Sequence, residues 1–327
     1  MRRGKISEIA LKRSVLKNIK NRNAKVIRGA DLSNDACEIQ LEDVTVVMSS
    51  NCIETWFEGC IEIEFNIAKG MNNIYVQGGI PFAAEVSIVL PLEYEEKQLG
   101  KLMRKLDEVF GKYNVQISGG HTTVSANVNQ PIIMFTIMGS KCYNVNCLKD
   151  VKPGQQIVMT KSIAVGGTGL ISNAKTDILK EKFINTYVDK CKDIINYISI
   201  EDESRIALEC GEVALHDIST GGVFAGVWEL TSASGLGVKI ELQKIPVWQE
   251  TIEVSEVFDI NPYMLDGTGS LLIVTNNGER LVDVLEEKGI NASVIGIITS
   301  DKNRVLINGD ETRFLEPQRG DEIYKLF

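Results

Sequence analysis

Short runs of apolar and β-branched residues alternate along the chain with longer segments of helical periodicity. In the first half, the runs predict β-strands, and the segments 61–78 and 93–113 have the length and the apolar spacing of α-helices. Glycine, proline or asparagine bounds each run, as is usual where a strand ends in a turn. The strands predicted in this half are residues 36–42, 44–48, 86–90 and 132–138, with a further short strand around Val115.

A proline-glycine turn at residues 151–154 separates this half from a second series of elements. Beyond it, helices and strands alternate, and the series closes on a hairpin that turns at Asn308 and Gly309. This order predicts an α+β protein with two domains, residues 1–150 and 151–327. The helices predicted in the second half are 180–198, 202–215, 223–234, 249–258 and 278–288, and the strands are 155–160, 238–242, 270–274 and 292–298.

Residues 1–28 combine helical apolar spacing with an excess of positive charge. The apolar positions between residues 6 and 19 predict one amphipathic helix. The segment carries ten Lys or Arg and a single acidic residue, Glu8, on a chain whose formal net charge is -9. Such a segment suits a nucleotide phosphate, a nucleic acid or an acidic partner, or it is a solvated helix face. No aromatic residue precedes Trp56, which argues against base stacking and against nucleic-acid binding.

The composition excludes several classes of protein and of metal site. The 327 residues are 44% hydrophobic and 24% charged, as in a globular protein, and no apolar run approaches the ~20 residues that span a bilayer. No apolar signal-peptide core is visible near the beginning. The seven cysteines include no C-x-x-C pair, which predicts a reducing, cytoplasmic setting. Because there are only two histidines, His121 and His216, a histidine-rich zinc site is excluded.

Four polar turns flank the apolar runs of the first half, at residues 29–39, 46–52, 70–81 and 117–125. In the last of them, Gly119 and Gly120 favour a close backbone approach and an anion nest. His121 follows, where it suits a phosphate contact or proton transfer. Each segment is also compatible with an ordinary turn, and His121 with an ordinary surface histidine.

Two glycine-rich segments of the second half are also candidate phosphate-binding sites. Lys161 precedes a predicted flexible loop at residues 166–169 and could carry a positive charge to a phosphate, although the spacing is not that of a P-loop. Gly221 and Gly222 open a helix whose free N–H groups suit a phosphate, and Asp217 can cap that helix or hold a ligand. A tight connection with a capping aspartate is the alternative.

Three further predictions are structural. We expect Trp228 in the core and His216 at the C-terminal end of a helix, where the dipole favours it. Cys52 and Cys60 are expected to be buried free thiols, because two cysteines without nearby histidines are too few for a metal site.

In sequence order, these motifs resemble those of the aminoimidazole-ribonucleotide (AIR) synthetase superfamily. The likeness covers nearly the whole chain and is greatest to the AIR synthase-related branch that is similar to the hydrogenase-maturation carbamoyl dehydratase. Each motif is weak alone, but eight in one order are specific. They are Gly4-Lys5, the Asn34-Asp35-Ala36 turn, the Asn72-Asn73 turn with GGIP, SGGHTTVS, KPGQQIVMTK, HDISTGG, INPYMLDGTGSLLIV and DEIYKLF.

The resemblance implies an AIR-synthetase-like fold whose first domain binds ATP and pairs its strands with a twin subunit in a dimer barrel. It implies an ATP-dependent reaction that phosphorylates an amide, carboxamide or carbonyl oxygen of a small molecule, with Mg²⁺ held by aspartates. On this basis Lys5 and His121 are the expected catalytic residues, and Asp35 is the expected metal ligand. The residues expected to bind ATP or its phosphates are Asn34, Asp35, Asn72, Asn73, Gly119, Gly120, Lys161, Asp217, Gly221 and Gly222.

The sequence departs from the family pattern at the acidic positions. Asn34-Asp35 replaces paired acids, residues 49–51 replace Thr-Asp, and Asn72-Asn73 replaces Asn-Asp, so only Asp35 remains acidic. Each lost charge at about 4 Å removes on the order of 4 kcal/mol per unit of cation charge at an effective dielectric near 20. The last cysteine is Cys210, so the terminal carrier cysteine of the carbamoyl dehydratase is also missing.

Two hypotheses follow. The chain is an ATP-dependent enzyme that acts on a small amide, carboxamide or carbonyl substrate, or it is a degenerate homodimer that binds a nucleotide or metabolite without turnover. In the second case we expect it to serve a protein partner in assembly or regulation. The amide replacements favour the second hypothesis, and the retained glycine-rich segments favour the first.

Overall fold

The computed structural model describes residues 4–32, 34–53, 61–211, 213–317 and 320–327. These residues form two compact units. Unit A comprises residues 22–30 and 34–143, and unit B comprises the described residues before 22, at 31–32 and from 144 onward. The first 21 residues were predicted to belong to a domain spanning 1–150. They are part of unit B because Lys5 and Glu8 bond to side chains of that unit.

The basic first segment does not form the long amphipathic helix that its spacing predicts. It contains three short turns, which are α1 (Glu8–Ala10), a π turn (Leu11–Val15) and a 3₁₀ turn (Leu16–Asn18). Four of its apolar side chains remain exposed, Ile6, Ile9, Val15 and Ile19, with Ile9 at 67%. A helix in a protein gains most of its stability from burying an apolar face, so this segment lacks the packing that would extend the helix.

Unit A is a mixed sheet with helices on one face. Its strands are β1 (Val26–Arg28), β2 (Cys37–Leu41), β3 (Val44–Ile53), β4 (Gly79–Leu90), β5 (Gln116–Val124) and β6 (Ile132–Lys141), and its helices are α2 (Ile61–Tyr75) and α3 (Glu96–Lys112). Among the described residues the strand order is β1-β2-β3-β6-β4-β5, with β4 and β5 parallel and the other pairs antiparallel. Helix α2 packs on β3, β4 and β6 and buries Phe65, Ile67 and Met71 completely.

The opposite face of this sheet stays uncovered within unit A. Alternate residues of the central strands point away from the helices, as the two-residue period of a strand requires. Met134, Ile80 and Phe82 are 44%, 49% and 47% exposed, although all three are large apolar residues. We call these three residues, with Ile132, the open apolar face.

Unit B is a second mixed sheet with helices around it. Its strands are β7 (Gln156–Thr160), β8 (Ala214–Ile218), β9 (Gly237–Glu241), β10 (Ser270–Thr275), β11 (Ala292–Thr299), β12 (Arg304–Asn308) and β13 (Glu311–Phe314). Its helices after α1 are α4 (Val165–Ala174), α5 (Thr176–Lys180), α6 (Asn185–Asp193), α7 (Glu201–Glu209), α8 (Gly222–Ser234), α9 (Gln249–Val257) and α10 (Gly278–Glu287). The strand order among the described residues is β13-β12-β9-β11-β7-β10-β8. Every residue of β10 is buried, and the core of the unit includes side chains from β7 to β12. The two mixed units confirm the predicted α+β class.

The predicted flexible loop at residues 166–169 is instead the first part of α4. Its glycines are buried. A Cβ atom on Gly167 would lie 2.4 Å from Leu265 Cγ, closer than real Cβ contacts allow. These glycines therefore permit tight packing of a helix, and the prediction of a mobile phosphate loop is wrong.

No helix in the described parts of the chain is both long enough and apolar enough to cross a membrane.

Candidate functional site

A buried serine of β3 connects three segments that are far apart in the sequence. Ser49 Oγ accepts hydrogen bonds from Asn51 Nδ2 at 3.0 Å and Asn73 Nδ2 at 2.9 Å, and it donates to the Asp35 carbonyl at 3.0 Å. Asn73 is near the end of α2, which packs directly on β3. Ser49 and Asn73 are only 2% and 7% exposed. We call Asp35, Ser49, Asn51 and Asn73 the Ser49 cluster.

The other two polar residues predicted in this region have different surroundings. Asn34 Nδ2 donates to the Gly29 carbonyl at 2.6 Å, so its amide closes the turn that precedes β2. Asn72 is buried within α2, at 1% exposure. The structure thus joins Asp35 and Asn73 through Ser49, while Asn34 has a local structural role. Sequence comparison with the family pattern pointed to the segment 49–51, but the hydrogen-bonding role of Ser49 was not predicted.

The Ser49 cluster does not fit a magnesium ion. Mg²⁺ is usually bound through one or two carboxylates together with phosphates and water, in near-octahedral geometry. Asp35 is the one acidic residue of the cluster but joins it through its backbone carbonyl, and the Ser49 oxygen already accepts two amide N–H groups. Across the described residues, no group of three His, Cys, Asp or Glu side chains is arranged to hold a metal ion. The donor set therefore argues against a metal ion bound through Asp35.

Gly119, Gly120 and His121 lie inside strand β5 and not in the predicted loop. Gly120 has φ +143°, and a Cβ there would lie 1.8 Å from the Val86 carbonyl oxygen. Glycine is therefore required by the close approach of β4, and the strand geometry replaces the predicted anion nest. His121 is exposed and lies opposite Ser87 of β4. Its predicted catalytic role stays a prediction.

Lys161 is a buried structural cation and not a phosphate ligand. Its Nζ contacts the carbonyl oxygens of Tyr197, Ser199 and Gly269 at 3.1, 2.6 and 2.9 Å and forms an ion pair with Glu203. Burial lowers the pKa of Lys161 and raises the pKa of Glu203, and in each case the partner charge opposes the shift. Because this ammonium is directed at four internal oxygens, the prediction that Lys161 binds ATP is wrong.

The predicted phosphate site at Gly221 and Gly222 is occupied by a carboxylate of the chain itself. Helix α8 begins at Gly222 as predicted, and Asp321 Oδ2 accepts the Gly221 N–H at 2.6 Å. Asp321 Oδ1 accepts the N–H groups of Ile323 at 2.8 Å and Asp266 at 3.3 Å. The positive end of the helix dipole attracts an anion, and here Asp321 supplies it. This role of Asp321 was missed, although the motif DEIYKLF had been noticed.

Asp217 lies in strand β8 and is 5% exposed. It is paired in register with Leu271 of β10. Its role as a cap of α8 or as a ligand residue stays a prediction.

Lys5 and His216 share one carboxylate on α8. Lys5 Nζ is 2.6 Å from Glu229 Oε1, and His216 Nε2 is 3.2 Å from Glu229 Oε2. Burial would raise the pKa of Glu229, but Lys5 and His216 outweigh it and lower the pKa to about 2. Lys5 therefore anchors the first segment to α8, which replaces its predicted catalytic role. His216 lies in strand β8, not at the C-terminal end of a helix as predicted.

Trp228 is only partly buried, contrary to the prediction of a core position. Its Nε1 donates to Glu8 Oε2 at 3.1 Å, and the Arg304 guanidinium stacks on its ring with Cζ 3.9 Å from the ring centroid. Of the two cysteines predicted to be buried, Cys52 is exposed, and Cys60 lies outside the described residues.

Both units match families of known proteins. Residues 65–140 match the family described as the N-terminal domain of AIR synthase related proteins, and residues 152–308 match its C-terminal domain. The chain therefore belongs to the AIR synthase-related family, and the resemblance drawn from its motifs is confirmed.

The chain is similar along much of its length to individual proteins of two kinds. A protein of Methanocaldococcus jannaschii, named provisionally for hydrogenase expression and formation, is 22% identical over 322 residues, which span 93% of this chain and 91% of the relative. The selenide, water dikinase of Treponema denticola is 24% identical over 74% of this chain and 67% of the enzyme.

Solved structures share the fold. HypE in its complex with HypF superposes with a TM-score of 0.72 at 18% identity, over 94% of this chain and 99% of that one. HypE, a hydrogenase maturation protein, in complex with ATP gives 0.69 at 19% identity over 86% and 88% of the two chains. AaThiL complexed with AMPPCP and TMP gives 0.71 at 15% identity over 90% and 92%. The AIR-synthetase-like fold expected from the motifs is therefore confirmed.

Proposed function

We propose that this chain is a nucleotide-binding homodimer that binds ATP without a magnesium ion held at Asp35 and does not turn it over. The observation that carries the proposal is the Ser49 cluster. Three segments meet there, as a retained binding region would require, yet serine and asparagine stand where the family carries acids. Related proteins have been solved with ATP or AMPPCP, which supports a nucleotide as the ligand.

The loss of charged ligands supports binding without chemistry. Enzymes that transfer a phosphoryl group stabilise its charge with metal ions and with Lys or Arg side chains. Lys161 is directed at internal oxygens, and Lys5 is paired with Glu229. Such a protein suits a role in assembly or regulation beside a protein partner, and HypE is found in complex with HypF.

A second candidate is favoured by the relatives. Their names describe kinases, including a selenide, water dikinase and the thiamine-monophosphate kinase of Bacillus subtilis. On that basis the chain would activate a small amide, carboxamide or carbonyl substrate by ATP-dependent phosphorylation. Steady phosphate release from ATP would select this candidate over the first.

The test is thermal unfolding of the purified protein with ATP, ADP or AMP, each with Mg²⁺ or with EDTA. Ligand at 100 times its dissociation constant stabilises a protein by about 2.7 kcal/mol. We expect ATP to raise the Tm equally in Mg²⁺ and in EDTA, with no phosphate release. If no nucleotide shifts the Tm, the proposal fails, and a shift that needs Mg²⁺ contradicts the metal-independent site.

The variant Asn73→Asp places a carboxylate where the family has one. It removes an N–H donor to Ser49 Oγ inside a buried cluster, so we expect it to lower stability by about 1–3 kcal/mol in EDTA. Added Mg²⁺ should restore part of that stability and make ATP binding metal-dependent. Asn127→Asp, the same change at an exposed position of unit A, is the control. Equal responses of the two variants to Mg²⁺ would place the nucleotide site away from the Ser49 cluster.

A further inference from the structure

A recess of about 300 Å³ opens at the C-terminal end of helix α8, in unit B. Its walls come from the first segment, from α8 and from the start of β12. Glu8, Lys12, Lys302 and Arg304 supply its charges, and Trp228 and Leu236 supply its larger apolar surfaces. All of its lining residues belong to unit B, whereas the Ser49 cluster belongs to unit A.

Positive charge is in excess in this recess. Lys12, Lys302 and Arg304 are cationic, and Glu8 is the acidic residue among those that line it. The Glu8 carboxylate is already engaged, because it accepts from Trp228 Nε1 at 3.1 Å and Ser232 Oγ at 3.4 Å and pairs with Lys12 at 3.3 Å. Within the described residues, Lys302 and Arg304 form no ion pair with a carboxylate. The recess thus carries a surplus of two positive charges.

Arg304 is held in place by neutral groups. Its Nε donates to Thr231 Oγ1 at 2.5 Å and its NH2 to Ser232 Oγ at 3.2 Å, while the guanidinium plane rests on the Trp228 ring. Arg304 is partly buried, and burial lowers its pKa, while the negative charge of Glu8 opposes that shift without forming an ion pair with the guanidinium. A guanidinium held in a fixed orientation is well suited to a two-oxygen contact with phosphate or carboxylate.

From this arrangement we propose that the recess binds a small phosphomonoester. The phosphate, with a charge of about -1.5 to -2 near neutral pH, balances the two surplus cations. Lys302 and Arg304 bind the phosphate oxygens, and the organic group of the ester lies against Trp228 and Leu236. The partial negative charge at the C-terminal end of α8 opposes an anion by less than about 1 kcal/mol, which the cations outweigh. A bound ester would also hold the first segment against α8, because Glu8 and Lys12 form one wall.

The test is isothermal titration calorimetry of the full chain without nucleotide, using glycerol 3-phosphate, phenyl phosphate, inorganic phosphate and succinate. We expect both esters to bind more tightly than inorganic phosphate or succinate. Arg304→Gln and Lys302→Gln should each weaken ester binding by about tenfold, and salt should weaken it further. Lys288→Gln, which removes an exposed charge outside the recess, is the matched control and should bind as the unmodified chain does.

Several outcomes would overturn the proposal. Absence of ester binding at about 10 mM, well above a millimolar dissociation constant, is one. Unchanged ester affinity in Lys302→Gln would also overturn it. Because Lys302 is exposed and its substitution leaves the core intact, this result is conclusive even if Arg304→Gln does not fold. Equal affinity for succinate or inorganic phosphate would reject the ester as the ligand class. The ATP-dependent Tm shift should persist in Lys302→Gln, so failure of this site and failure of the proposed nucleotide site are distinguishable.

Discussion

At the scale of single residues, chemistry depends on the oxygen and nitrogen atoms that surround each side chain. Lys161 had the residue type and the flanking glycines of a phosphate ligand, but its carbonyl partners lie 36, 38 and 108 residues further along the chain. The sequence around Lys161 does not reveal partners that lie so far along the chain. Asp35 and Asn73 were found because their motifs could be matched to a family pattern, whereas Ser49 became visible only through its three hydrogen bonds.

Glu229 predicts a pH dependence of stability. Its pKa is lowered from 4.5 to about 2 in the folded chain, so its contribution is complete above the unfolded pKa and is lost as the pH falls from about 5 to 2. A shift of this size corresponds to about 3 kcal/mol near pH 7. We expect the difference in unfolding free energy between the unmodified chain and Glu229→Gln, measured with urea, to be largest at pH 7 and to shrink by pH 3.

The control is Glu241→Gln, which removes an exposed carboxylate paired with Lys244. Surface substitutions of this kind change stability by no more than about 0.5 kcal/mol, at any pH in this range. A difference for Glu229→Gln that stays constant from pH 7 to pH 3 would contradict the Lys5–Glu229 anchor.

At the scale of elements, most of the strands and helices follow from the sequence. Val44–Ile53, Ser270–Thr275 and Ala292–Thr299 are strands where β-branched runs predicted them, and Gln249–Val257 is a helix at its predicted position. The errors lie in glycine-rich segments, in the basic first segment and at β8, whose first residues were predicted to continue the helix 202–215. Glycine is found both in turns and where two elements pack closely. Gly120 packs against Val86 and Gly167 against Leu265, residues that are distant in the sequence.

Helix α8 gives a prediction at this scale. In Asp321→Asn, one of the two acceptor oxygens becomes an N–H donor, and the negative charge at the helix N-terminus is lost. We expect a loss of about 1–3 kcal/mol in unfolding free energy, because the N–H groups of Gly221 and Ile323 are bonded to different oxygens of Asp321. Chemical denaturation measures the loss. Asp310→Asn, in the exposed hairpin turn, is the control, and equal stability of the two variants would contradict the capping role.

At the scale of the whole molecule, the α+β class and the family could be recognised from eight ordered motifs. The extent of unit B could not, because residues 4–21 join it through Lys5 and Glu8, whose partners lie 220 or more residues away. The sequence also did not show that the N–H group of Gly221, which suits a phosphate, is bonded to Asp321 instead.

The open apolar face of unit A predicts the oligomeric state. An uncovered patch of large apolar side chains commonly marks an interface, and two copies related by a two-fold axis would cover each other's patch. Sedimentation equilibrium should therefore give twice the chain mass. Met134→Glu, on the open apolar face, should give a monomer, while Ile184→Glu, at a still more exposed apolar position in unit B, should remain dimeric. A monomeric unmodified chain, or a dimeric Met134→Glu, would contradict the proposed homodimer.

The bond between Asp321 and Gly221 has a consequence for biosynthesis. The two residues are 100 positions apart, so a ribosome adding about 5–20 residues per second needs roughly 5–20 s to translate from one to the other. During that interval the newly made helix has no internal anion at its first turn. The first segment is made earlier still, because Lys5 is synthesised 224 residues before its partner Glu229. The anionic cap of α8 can therefore form only after Asp321 has been synthesised.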